Sequence, residues 1–255
     1  MKIIRELLSQ FPIAGQVFEE DVIITPEKIV SYLNSRPNTA ATLDEDSNKI
    51  SVVGDVVVHP NWVKNGKLSI DFSRVDGLFF ASNCNLKSLK GFPYWIGKEL
   101  ILNNNSIKNF IDGPSYVGGD LIIRNNKLVS FDGAPSKIAG NLDITNNKTL
   151  ISLHAISKNI KSMDGVLILS PKYIKKDILG IMLIPGLRDV YDGDNRHKPR
   201  SINKMYLDFD VKGDKGDTES YEPFEIVTRH TKVSKDITDC QDELFDANYL
   251  EYAKI

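Results

Sequence analysis

Residues 117–135 read VGGDLIIRNNKLVSFDGAP, and a recognisable version of the string stands 21 residues earlier and 21 residues later. Aligning the copies gives columns. Phe79, Leu100, Leu121 and Leu142 fill one, and Ala81, Leu102, Ile123 and Ile144 the next apolar one. Cys84, Asn105, Asn126 and Asn147 follow, then Leu86, Ile107 and Leu128, then Leu89, Phe110 and Phe131. Pro93, Pro114 and Pro135 keep the same spacing, as do Val75, Ile96, Val117 and Ile138. A fixed period in the range of 20–50 residues is the mark of a repeat architecture.

The alternation in Leu121-Ile122-Ile123 predicts a short strand with Leu121 and Ile123 pointing inward. One repeat alone cannot cover those side chains, so they are buried by the repeats on either side. With about six inward groups per repeat, each worth roughly 1.5–3 kcal/mol when buried, stacking offsets much of the ordering entropy. Gly118-Gly119 and Gly140 precede strands, where a tight corner predicts positive φ. The prolines predict an extended, polyproline-like return limb. Buried amides at Asn105, Asn126 and Asn147, with Cys84 in the equivalent place, predict a structural ladder that satisfies backbone groups where the chain leaves the strand.

The pattern Leu-x-Leu-x-x-(Asn or Cys)-x-Leu resembles the leucine-rich repeat family, and the 21-residue length with its Gly-x-Pro return resembles the short bacterial type. More narrowly, residues 117–135 are similar to repeat proteins carried by tailed bacteriophages, and VVGDVVVHP at 52–60 resembles their lead-in segment. The resemblance covers residues 50–170 and implies an α/β leucine-rich-repeat-like solenoid with short parallel strands. It carries almost no information on function.

Three segments are expected: a helical N-terminal cap and linker over 1–48, the solenoid over 49–170, and an α/β C-terminal cap over 171–255. Ile3, Ile4, Leu7, Leu8 and Phe11 share a helical face. A second helix is predicted from Thr25 as N-cap and Pro26 at the first helical position, with Ile29, Val30 and Leu33 inward. Residues 35–46 read as a mobile connector. After Leu153 the pattern decays toward a last strand at 166–169, as terminal repeats do. Beyond it, 202–211 alternates like a strand, and 237–252 reads as an amphipathic helix anchored by Leu244, Phe245 and Tyr249.

Composition sets limits. Thirty-two basic against 34 acidic side chains give a net charge of −2, so no broad field draws the chain to nucleic acid or to an anionic membrane. No apolar run approaches the length of a membrane span. Two cysteines suggest no disulfide framework, and with no export signal they favour a cytoplasmic setting, the host cytosol if the chain is phage-encoded.

Catalytic and metal constellations are not argued by the residues. His59, His154, His197 and His230 lack ligand spacing with one another or with the cysteines. The 192–195 stretch departs from a calcium loop, and 212–216 lacks phosphate-loop spacing. Asp208, Asp210, His197 and His230 are too scattered to argue an enzyme. Neither cofactor nor metal is expected. What remains is the outward strand face, where Phe80, Ile101, Ile122 and Asp143 form a column beside Ser82, Asn103, Arg124 and Thr145. An exposed apolar stripe on a concave face marks a protein contact. The expected partner-binding residues are Phe80, Ile101, Ile122, Arg124, Asn103 and Asp143. The expected function is a non-enzymatic protein-binding scaffold, with a virion structural component, in a capsid or tail, as the alternative.

Overall fold

A computed structural model describes residues 24–194, 200–201, 222–233 and 236–254. Each repeat supplies one two-residue strand to each of two sheets, because two limbs of the repeat are extended and the corners between them turn sharply. Among the described residues the first sheet has seven strands and the second eight, neither closes into a barrel, and a separate hairpin pairs Val63–Lys64 (β4) with Lys67–Leu68 (β5). The molecule is mixed α/β, with mainly parallel sheets and few helices.

The second sheet contains β3 (Val56–Val57), β7 (Phe79–Phe80), β9 (Leu100–Ile101), β11 (Leu121–Ile122), β13 (Leu142–Asp143) and β15 (Val166–Leu169) in parallel order. Leu121 lies in register between Leu100 and Leu142, as the period requires. The order continues past the expected last strand. Asp189–Asp192 (β16) pairs parallel with β15, and Arg200–Ser201 (β17) closes the edge antiparallel. Phe79, Leu100, Leu121, Leu142, Leu167 and Val190 are all buried on its inner side.

The return limb differs from the expectation of a polyproline-like path. Asp71–Val75 (β6), Trp95–Ile96 (β8), Tyr116–Val117 (β10), Lys137–Ile138 (β12) and Ser162–Met163 (β14) form a parallel ladder of their own. Pro93 and Pro114 stand two residues before their strands, so their missing N–H groups fall outside this ladder. Val75, Ile96, Val117, Ile138 and Met163 face the other sheet and are buried. The core is the layer between the two sheets.

Gly118, Gly119 and Gly140 were expected to need positive φ, and none has it. The physical reason for glycine is close approach. A Cβ on Gly118 would lie 2.1 Å from the Gly97 carbonyl oxygen. Left-handed backbone falls instead at Gly91, Asp112 and Gly133 on the return limb and, after each strand, at asparagines: Asn83, Asn104, Asn125 and Asn146 have φ of 59°, 58°, 53° and 60°. Asparagine tolerates this region because its short polar side chain bonds locally. Here it bonds along the stack. Asn104 Nδ2 donates to Asn83 Oδ1 at 3.0 Å, Asn125 Nδ2 to Asn104 Oδ1 at 2.7 Å, and Asn146 Nδ2 to Asn125 Oδ1.

The adjacent internal column joins side chain to backbone. Asn105 Oδ1 accepts from Cys84 N and Leu86 N, while its Nδ2 donates to the Ala81 and Leu102 carbonyls. Asn126 and Asn147 do the same one and two repeats on with one backbone donor each, Ile107 N and Leu128 N, and with Nδ2 donating to carbonyls of their own and the preceding repeat. Each amide thus ties its own corner to the neighbouring repeat, which explains the Asn-Asn pairs at 104–105, 125–126 and 146–147; the first copy has Asn83-Cys84.

At the N-terminal end, Thr25 caps the helix Pro26–Asn34, and its side chain accepts from Lys28 N. Ile29 and Leu33 are buried, with Val30 packed beside them. The expected connector is ordered as a hairpin: Ala40–Asp44 (β1) pairs antiparallel with Lys49–Val53 (β2), extending the first sheet. The expected helix over the first residues and the strand at 202–211 lie outside the described residues. At the other end, helices Glu222–Val233 and Ile237–Asp246 pack together and against the 3-10 turn Leu179–Leu183. Leu244 is an anchor there and Tyr249 packs against the core, but Phe245 is 44% exposed and is not one.

Candidate functional site

The outer side of the second sheet carries one residue per repeat, directly over the strand. Strand pairing puts Val57, Phe80, Ile101, Ile122, Asp143, Ile168 and Tyr191 in a single in-register column. Six of the seven side chains are apolar or aromatic. The column is on the face opposite the core, since inward and outward positions alternate along a strand. Val57, Phe80, Ile122, Ile168 and Tyr191 are half-buried.

Two members correct the expectation of a continuous exposed stripe. Ile101 is only 4% exposed and Asp143 2%, although Ile101 is not part of the hydrophobic core. Ladder neighbours about 4.8 Å to either side account for this. Phe80 and Ile122 flank Ile101, and Ile122 and Ile168 flank Asp143. Arg124 covers the carboxylate further, its Nε donating to Asp143 Oδ2 at 2.6 Å and its Nη2 bridging to the same oxygen. Asp143 Oδ1 accepts from Thr145 N. Arg124 and Asp143 are therefore neutralised by each other, and the surface they present is that of a closed ion pair.

Asn103 sits on the flank of this column. Its Oδ1 accepts from Arg124 N at 2.9 Å, and its N–H donates to Ser82 Oγ at 3.0 Å. It is a strut between repeats. Val57, Ile168 and Tyr191 belong to the site and were not expected from the sequence. The step from Asp143 to Ile168 to Tyr191 is longer than 21 residues, so a fixed period does not find them.

Both thiols are buried. Burial pushes the Cys84 thiol up to about 11 and the Cys240 thiol up to about 12, so neither is a nucleophile near neutral pH. His230 Nε2 lies 2.7 Å from Glu243 Oε2, and that hydrogen bond holds Glu243 below the usual carboxylate range, with Arg229 adding to it. Asp208, Asp210 and His197 lie outside the described residues. Asp192 ends β16 inward and buried, its Oδ1 accepting from Asp194 N, and burial pushes its carboxyl up. No group of three or more potential metal ligands occurs among the described residues, and none of their helices is long and apolar enough to cross a membrane.

Comparison with family models, with curated proteins and with solved structures finds no match to this chain.

Proposed function

We propose that the chain is a leucine-rich-repeat-like solenoid that acts as a non-enzymatic scaffold, holding a protein partner on the outer, concave face of its eight-stranded sheet. The observation that carries this reading is the column from Val57 to Tyr191. A row of apolar side chains on a sheet face, edged by polar groups and outside the core, is the surface type that protein partners cover. Phe80, Ile122, Ile168 and Tyr191 are the anchors, and the Arg124–Asp143 pair marks the one polar point within the row.

The similarity of residues 117–135 to phage repeat proteins makes the proposed setting a host cytosol during infection, with a host or phage protein as partner. The test is affinity capture from infected cells with the native chain and with Ile122→Glu. Loss of the captured protein from a variant that still melts cooperatively supports the reading. Undiminished capture by Ile122→Glu removes this face from consideration. Recovery of the chain in purified particles by mass spectrometry would replace the scaffold with a virion subunit.

A further inference from the structure

Between the strand of the second sheet and the return limb, each repeat has a third limb with a charge of its own. It is extended, with a buried residue between two outward ones. Leu86, Ile107, Leu128, Leu150 and Ile174 are the buried members. Backbone hydrogen bonds stack these limbs: Lys127 N donates to Ile107 O, Val129 N to Lys108 O and Lys175 N to Ile151 O. Five successive rungs each carry an exposed lysine. Lys87 and Lys108 directly follow the buried residue. On the next two rungs Val129 and Ile151 take that place, and Lys127 and Lys148 stand just after the internal asparagine instead. Lys175, beside Ile151, continues the row. The hairpin of β4 and β5 begins it with Lys64 and Lys67. Lys87 N donates to Gly66 O in that hairpin, and a Cβ on Gly66 would lie 2.8 Å from the Lys87 stem.

None of these lysines makes an ion pair among the described residues. No carboxylate takes an outward place on the limb. Besides the lysines and the two aliphatics, those places hold Asn85, Ser106, Thr149 and Tyr173. Asp112 and Asp132 stand past the next turn, near Lys90, and Asp132 accepts from Ser130 Oγ at 2.8 Å. On the other side runs the neutral ladder from Asn83 to Asn146. The net charge of −2 averages over faces, and this limb departs from it with one uncompensated cation per rung.

We propose that the lysine row holds the phosphate backbone of a single-stranded nucleic acid, independently of the apolar face. Rungs about 4.8 Å apart give about 19 Å from Lys87 to Lys175. One strand presents about six phosphates over that distance. A strand of a duplex winds through about half a turn over the same distance and leaves the row. A single strand can follow it. Beyond Tyr173 the limb offers no outward aromatic ring for stacking, so the row grips the backbone without reading bases. Val129 and Ile151 are half exposed, but a lipid surface is held by a whole apolar face rather than by two side chains.

The test is fluorescence anisotropy of a labelled oligothymidylate of about 20 nucleotides, titrated with the full chain at several salt concentrations. Neutralising about five phosphates gives a slope of about −3.5 for log affinity against log salt. Lys108→Gln with Lys127→Gln brings the slope to about −2.1 and weakens binding about tenfold at about 100 mM salt. Lys137→Gln with Lys161→Gln removes two exposed charges from the first sheet and leaves slope and affinity unchanged. A strand of mixed sequence binds as the oligothymidylate does. Lack of binding at about 50 mM salt overturns the proposal, as does equal weakening by the two double variants. Tighter binding of a duplex of the same length overturns the single strand as occupant. Sedimentation of the chain with vesicles of phosphatidylglycerol and phosphatidylcholine, lost in Lys108→Gln with Lys127→Gln, while the oligonucleotide stays free, would assign the row to lipid instead.

Discussion

Replacing Asn126 by alanine tests the internal amide column, and its cost can be worked out bond by bond. Asn126 Oδ1 accepts from Ile107 N at 3.0 Å, and that N–H has no other partner among the described residues. Its Nδ2 donates to the Leu102, Ile123 and Arg124 carbonyls. Leu102 O keeps a second donor in Asn105 Nδ2, Ile123 O keeps one in Asn147 Nδ2, and Arg124 O keeps one in Asn104 N. One buried donor is stranded outright, and three carbonyls each fall from two donors to one. A stranded buried group costs about 1–3 kcal/mol, and the small cavity adds about 1 kcal/mol. Asn126→Ala should therefore lose about 2–4 kcal/mol in urea denaturation, with the slope unchanged. Asn125→Gly is the control. It removes an exposed amide but suits φ of 53°, and should stay within about 0.5 kcal/mol of the native chain. Equal losses from the two, or a loss below about 0.5 kcal/mol from Asn126→Ala, would refute the reasoning.

Other outcomes follow from single contacts. Gly118→Ala should destabilise by about 1–3 kcal/mol, because the new Cβ meets the Gly97 carbonyl and the ladder must open to admit it; an unchanged melting temperature would contradict this. Asn34 bonds both the N–H and the C=O of Ala41 on the edge strand β1, so Asn34→Ala uncovers strand backbone and should promote self-association in sedimentation velocity, with about 0.5–2 kcal/mol lost. At pH 8 the native thiols are ionised to about one part in a thousand at Cys84 and one in ten thousand at Cys240. Iodoacetamide labelling should therefore await unfolding, and rapid labelling of the folded chain would argue against their burial. Asp192 is pushed up by burial, so the folded chain holds its proton to higher pH than the unfolded one. Stability it contributes is present below the ordinary carboxylate range and lost as pH rises through the folded value. Asp192→Asn, which can still accept from Asp194 N, should be the more stable protein at pH 7, with the difference vanishing toward pH 3; a variant weaker at pH 7 would reverse the sign.

The sequence was most legible where the period is unbroken. Leu100, Leu121 and Leu142 stack because identical spacing gives identical places in the ladder. The Thr25-Pro26 start of the helix was legible because capping is local chemistry. The second parallel ladder was not, since two paired residues per repeat after a proline look like any extended limb. Alternation assigned Ile101 to the outer face, but exposure depends on what stands beside it, and Phe80 and Ile122 close over it. Residues 35–46, rich in turn formers, hid a five-residue strand that is held by its partner and by Asn34.

The most direct measurement is photo-crosslinking of the captured partner with a benzophenone amino acid placed at Ile122 or, in a second protein, at Tyr116 on the outside of the opposite sheet. Cross-linking from position 122 and none from 116 is the result expected of a partner seated over the apolar row. Cross-linking from position 116 alone would place the partner on the other sheet and contradict the account.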